Sequence, residues 1–322
     1  MLYLKRGDRL PSVGMAQKLL NTCRELDPRL AGLPELLADG IFGQNTQRAV
    51  SSAKSALGIT PANPVFDRFL WRPLADMAKW RIVDVCDRVL EFQLFNGKTR
   101  ADRVRELVQK QQAEDPNLPT WRAELIANRK INNWIKDAYI CRLQYNRFVA
   151  MGSNPISLKS KEQVYDKIRR GLAERSRDGW QVVLLRFTGH GSPGSQGVAG
   201  SLFGMVELTR DAVLMQEDDS DKDFIDAIMI GGMAMPMCPF GVIELHGCRI
   251  AGRSKARDRR RNRPKVDGSA FVTLFANEMA RPVTAGTQTQ YIGNAALDAS
   301  FDGPTVTAIP GGSTIEKWFA SR

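Results

Sequence analysis

The spacing of hydrophobic positions changes twice along the chain. Across residues 1–80, Val13, Leu19 and Leu20 mark a short helix. Asp39-Gly40 is a turn dipeptide, and Thr46, Ala49 and Val50 lie on a second helix that starts just after it. Leu70, Trp71 and Leu74 close this unit. Over residues 81–150, Ile82, Val85, Cys86, Val89 and Leu90 recur at helical spacing, as do Leu125, Ile131, Trp134, Ile135 and Ala138. The Asp115 to Pro119 segment separates the two stretches, and the region reads as a helical connector. From residue 151 helices alternate with short continuous apolar runs. Val164, Ile168 and Leu172 share one helix face, and Val182 to Phe187 is a run typical of a strand buried on both faces. A second such run spans Phe240 to Leu245, a helix carries Phe271, Phe275 and Met279, and Val283 to Gly286 is a third strand. Alternation of this kind predicts an α/β domain with a mainly parallel sheet flanked by helices.

The chain has 322 residues, 43% hydrophobic and 25% charged, enough to bury a core without disulfides or metals. Its most apolar stretch, Ala227 to Ile243, is interrupted by Gly231-Gly232, Pro236 and Pro239. It reads as helix, turn and strand, so no membrane span is expected. The first residues lack the apolar core of a secretory leader, so the default expectation is a cytoplasmic protein. The five cysteines are widely spaced with no CxxC pair, and the only histidines are His190 and His246. Free thiols and no metal or other cofactor follow from that composition. Net charge is +11, and Arg249 to Lys265 holds nine Lys/Arg against one Asp, which is +8 of it. The basicity is therefore local.

In parallel sheets reactive groups gather at the carboxyl ends of strands. His190 follows the first buried run and Cys248 follows the second. A cysteine nucleophile needs a histidine to generate its thiolate and protonate the leaving amine, and it needs donors for the oxyanion. Gly191 and the Cys248 N–H can supply these. The order buried strand, His190-Gly191, spacer, buried strand, Gly247-Cys248 resembles the caspase-like (clan CD) cysteine peptidases. Bacterial caspase-like domains share more of the pattern. The counterparts here are Gly189 to Gly194, Gly247-Cys248-Arg249, Gly268 to Phe271, and Pro282 to Ala285, so the resemblance covers roughly residues 155–310. It implies peptide-bond hydrolysis through an acyl-enzyme, with Cys248 as nucleophile and His190 as general acid/base.

Two further groups share a strand face with Cys248. His246 is a candidate for tuning the thiolate or lining the pocket, and Glu244 for orienting a histidine. The acidic run Glu217, Asp218, Asp219, Asp221 and Asp223 is a candidate pocket for basic substrate side chains. Calcium is the weaker alternative there, because the spacing does not match an EF-hand loop. The basic run lacks interleaved aromatics, so nucleic acid is not an expected partner.

The N-terminal unit, residues 1–80, also carries a resemblance. Val13, Gln17 and Leu20, then Asp39, Gly40, Phe42, Gly43, Thr46, Ala49 and Val50, resemble the small three-helix peptidoglycan-binding-like domain. Ala53-Lys54 stands where that family carries Phe-Gln. The expected organisation is a peptidoglycan-binding-like unit over 1–80, a helical connector over 81–150 and a caspase-like α/β domain over 151–322. The leading expectation is a cysteine endopeptidase acting on protein or peptide at the bacterial cell envelope, or delivered to an envelope or target cell by a leaderless route. Two alternatives stand beside it. One is a non-enzymatic envelope-binding or assembly protein with an inactive caspase-like domain. The other is a peptidoglycan hydrolase, ranked last because residues 81–150 offer no paired carboxylates with clear roles.

Overall fold

The computed structural model describes residues 2–150, 152–159, 164–189, 191–192, 195–201, 204–209, 232, 234–247, 250–252, 268–288, 301 and 303–322. Three helices come first: α1 (Pro11–Leu26), α2 (Gln44–Ala56) and α3 (Arg68–Ala78). Pro11 opens α1, where its missing N–H costs nothing. Asp67 caps α3 by accepting from the Phe69 and Leu70 N–H groups. Gln17 ties α1 to the turn before α2. Its amide donates to Asp39, to the Ile41 carbonyl and to Thr46, and its carbonyl accepts from the Gly40 N–H at 3.0 Å. Gly40 has φ +74°, a conformation that suits glycine. Gln17, Asp39, Gly40 and Thr46 therefore fix this turn.

Strand β1 (Trp80–Asp87) follows at once, then α4 (Val89–Gln93), α5 (Arg100–Glu114) and the 31-residue α6 (Thr120–Ala150). After these come β2 (Ile156–Leu158), α7 (Val164–Arg175), β3 (Gln181–Thr188), β4 (Gly191–Ser192), β5 (Ser195–Ser201) and β6 (Gly204–Thr209). Strand β7 (Met237–His246), α8 (Gly268–Met279), β8 (Val283–Gly286), β9 (Thr305–Ala308) and α9 (Ile315–Ala320) complete the chain. The main sheet has six strands in the order β2-β1-β3-β7-β8-β9. All neighbours are parallel except β8 and β9. A second sheet, β4-β5-β6, is antiparallel, and β5 lies against β1, β3 and α4.

The fold is thus α/β with a mainly parallel sheet flanked by helices. The helical spacing of Ile82, Val85, Cys86, Val89 and Leu90 predicts a helix, yet residues 80–87 form a central strand. Val83 and Val85 pack to one side of the sheet and Trp80 to the other, so burial on both faces hides the two-residue period.

The two faces of the sheet have different cover. On one, Leu185, Phe187, Ile243 and Leu245 pack against α7 and α8 through Ile168, Leu172, Phe271 and Phe275. On the other, Trp80, Val183, Leu184, Phe240 and Val242 share a core with α1, α2, α3 and α9. The N-terminal helices therefore close their core against the sheet. No helix among the described residues is long and apolar enough to cross a membrane.

Candidate functional site

Toward the carboxyl ends of the strands, the face that carries the N-terminal helices turns from apolar to charged. Asp84 on β1 is in register with Arg186 on β3, Arg186 with Glu244 on β7, Glu244 with Thr284 on β8, and Thr284 with Thr307 on β9. Side chains at register partners share a face, so these five form one polar row across the sheet.

Arg186 is the centre of the row and has no solvent exposure. Its Nη1 donates to Asp84 at 2.9 Å and its Nε to Glu244 at 3.1 Å. The second Asp84 oxygen accepts from the Ser153 hydroxyl at 2.6 Å. Thr284 and Thr307 share a hydrogen bond of 2.9 Å at the far end. A buried guanidinium is tolerable only when paired and hydrogen-bonded, and two carboxylates satisfy that here. Burial alone would depress the guanidinium, but Glu244 and Asp84 raise it above its ordinary value.

Glu244 also holds His246, whose Nε2 is 3.0 Å from the carboxylate oxygen that Arg186 contacts. An ionised carboxylate only accepts, so Nε2 carries the proton and Nδ1 of the neutral ring is the acceptor. Burial alone would raise the Glu244 carboxyl; the Arg186 charge and the His246 hydrogen bond outweigh it and hold the group at about 2. Burial pushes the His246 imidazole below its ordinary value, against the pull of Glu244. The pair at neutral pH is a carboxylate and a neutral imidazole. Phe301 stacks on that ring with centroids 4.2 Å apart and planes at 13°.

The next row toward the carboxyl edge is Cys86, Thr188 and His246, again register partners. Four cysteines, Cys23, Cys86, Cys141 and Cys238, are described, and all are buried and free. Burial pushes the thiols of Cys23, Cys141 and Cys238 up to about 12 and that of Cys86 well above its ordinary value. None of these four is a reactive thiolate.

Cys248 and His190 lie outside the described residues, as do Glu217, Asp218, Asp219, Asp221, Asp223, Arg249 and residues 253–265 of the basic run. Their flanks are described. Thr188, near the end of β3, pairs with His246 at the end of β7, and the two strands are parallel neighbours. Gly191 begins β4 and is in register with Gln196 of β5. After Cys248, Ala251 donates from its N–H to the Gly286 carbonyl, and Gly268 donates to the Gly252 carbonyl. A methyl on Gly268 would overlap the Ile250 carbonyl oxygen, so glycine lets the start of α8 lie on this turn.

Among the sequence candidates, Glu244 and His246 are in direct contact. Asp84 and Arg186 escape a reading of the sequence, although each is a charge inside an otherwise apolar strand run. No family model, no curated protein and no solved structure matches the chain.

Proposed function

We propose that the chain is a caspase-like cysteine endopeptidase, with Cys248 as nucleophile and His190 as general acid/base. The observation that carries this reading is the pairing of the two strands that lead to them. β3 and β7 are adjacent, parallel and in register at Thr188 and His246, two residues before His190 and Cys248 respectively. The protonated, buried state of the other four cysteines also favours Cys248 as the reactive thiol.

In this mechanism the Cys248 thiolate adds to the substrate carbonyl carbon. The oxyanion accepts from the Gly191 and Cys248 N–H groups. The C–N bond breaks as His190 protonates the departing amine, and water then hydrolyses the thioester. The resemblance of Val13, Gln17, Leu20 and the Asp39 to Val50 segment to peptidoglycan-binding-like units supports an envelope setting for this activity.

A thiol-directed peptidyl probe tests the enzyme reading. It should label the wild-type protein and Cys23→Ala, and fail to label Cys248→Ala and His190→Ala. Equal labelling of wild type and Cys248→Ala would overturn the assignment. A wild-type protein that resists the probe would favour an inactive domain. Pull-down on purified peptidoglycan, compared between wild type and Gln17→Leu, tests the envelope part.

A further inference from the structure

Helix α6 has two apolar faces. One is internal: Ala123, Ala127, Ile131, Ala138, Cys141 and Phe148 are buried. The other is bare. Among the described residues, eight of the thirteen exposed large hydrophobic side chains lie on this one helix. Trp121 is 67% exposed, Leu125 64% and Tyr139 52%, with Ile135, Ile140 and Leu143 beside them. At 3.6 residues per turn Trp121, Leu125, Ile135, Tyr139 and Leu143 fall within about 80° of one another, roughly opposite the buried face, with Ile140 about 60° beyond them, and Trp121 to Leu143 spans about 33 Å. Asn128 and Asn132 interrupt the stripe between Leu125 and Ile135, and apolar clusters this exposed along one helix point to a binding surface.

The charges around the stripe identify what it binds. Arg122, Arg129 and Lys136 are exposed, seven residues apart, and form a ridge along one flank. The two acids of α6, Glu124 and Asp137, fall outside the sector by the same periodicity. Two copies paired along their stripes would bring these cationic ridges close together, which disfavours self-association. An anionic bilayer surface satisfies both features. The apolar side chains enter the acyl boundary, while long arginine and lysine side chains reach back to the phosphates.

We propose that α6 is an interfacial membrane-docking helix, lying flat on an anionic lipid surface along its Trp121 to Leu143 stripe. Asn128 and Asn132, within the sector, both accept from Arg100 of α5, so the amide oxygens at the middle of the stripe are already bonded. The chemistry requires anionic headgroups; it does not select among them.

Flotation of the full chain with vesicles of phosphatidylcholine mixed with phosphatidylglycerol tests this. Binding should weaken as salt rises and fall strongly with pure phosphatidylcholine. The Arg249 to Lys265 run could also attract such vesicles, so the decisive variants lie on α6. Leu125→Asp/Tyr139→Asp should reduce binding at least tenfold. Arg122→Gln/Arg129→Gln/Lys136→Gln should reduce it about fivefold per charge removed. In a Cys248→Ala background, an environment-sensitive fluorophore on Leu125→Cys should brighten and shift to the blue when vesicles are added. Unchanged binding by the double aspartate variant, or a fluorophore that does not respond, would overturn the proposal, as would absence of binding by the wild type. These side chains are exposed, so matching circular dichroism melts will show that the variants keep the fold.

Discussion

Replacing Arg186 by methionine is the sharpest test of the polar row. The substitution keeps an unbranched side chain and removes the cation that contacts both Asp84 and Glu244. Both carboxylates would remain on a buried face, 0% and 4% exposed. Breaking a buried pair in this way costs about 3–5 kcal/mol, because the stranded charge keeps its desolvation penalty. A chain of 322 residues melting as one unit has an unfolding entropy of about 0.7 kcal/mol per degree, so Tm should fall by about 4–7 °C. Urea titration followed by circular dichroism would read the same loss at 25 °C. Asp84→Asn/Arg186→Met/Glu244→Gln should recover most of it, since no buried charge of the trio is then left.

Acid titration gives a second reading of the same variant. In the wild type Glu244 is held at about 2, below its ordinary 4.5. Its contribution is present above pH 4.5 and is lost as pH falls toward 2. His246 is also depressed from 6.5, so its contribution is present above that pH and is lost on acidification below it. Wild-type stability should therefore decline in both windows. In Arg186→Met burial raises the Glu244 carboxyl, folding takes up protons there, and the deficit relative to wild type should shrink as pH falls. A deficit below about 1 kcal/mol at pH 7, or one of equal size at pH 7 and pH 4, would refute the reasoning.

Gln17→Leu should cost about 1–3 kcal/mol by urea midpoint, because it strips the partners of a buried turn that includes the Gly40 N–H; an unchanged midpoint would show that water replaces them. Gly268→Ala should cost about 1–3 kcal/mol through overlap with the Ile250 carbonyl, and a melt matching wild type would mean that the turn yields freely. Deleting residues 1–78 uncovers Val183, Leu184, Phe240 and Val242, so the remaining fragment should associate or precipitate on size exclusion. A monomeric, cooperatively melting fragment would show that the two parts fold separately.

Much of the sheet can be read from single segments. β3 and β7 carry nearly continuous apolar runs of strand length, and α7 and α8 keep a clean helical face, so local pattern and tertiary role agree. β1 defeats this reading because its apolar residues serve both faces of a central strand. β2 has three residues and β9 four, too few for any period. The polar row is harder still. Asp84, Arg186 and Glu244 are 102 and 58 residues apart in sequence, and only the register of three strands brings them together. A charge in the middle of a buried run is the available signal. Arg186 within Val182 to Phe187 is a cation that must find a partner, although the sequence does not say which. The exposed stripe of α6 is concealed for a related reason, since Leu125 and Ile135 look like core until Ala123, Ala127 and Ile131 are seen to occupy the inner face.

The row also ties stability to whatever chemistry occurs at the end of β7. Glu244 and His246 precede Cys248 by four and two residues on one strand, and Arg186 fixes the carboxylate that fixes the imidazole. Burial, with the nearby Arg186 charge adding to it, keeps the His246 ring neutral although Glu244 hydrogen-bonds it. A rigid neutral histidine stacked on Phe301 therefore stands just before the candidate nucleophile. Asp84→Asn separates the two effects. It leaves Arg186 bound to Glu244, so the His246 geometry should survive while the stability of the row falls. If labelling of Cys248 then tracks stability and not the Glu244–His246 contact, the row is a structural clamp. If Glu244→Gln changes the pH profile of labelling and Asp84→Asn does not, the contact itself governs the thiol. The register of the sheet makes that comparison possible, because Asp84 and Glu244 flank the same guanidinium but only Glu244 touches the histidine.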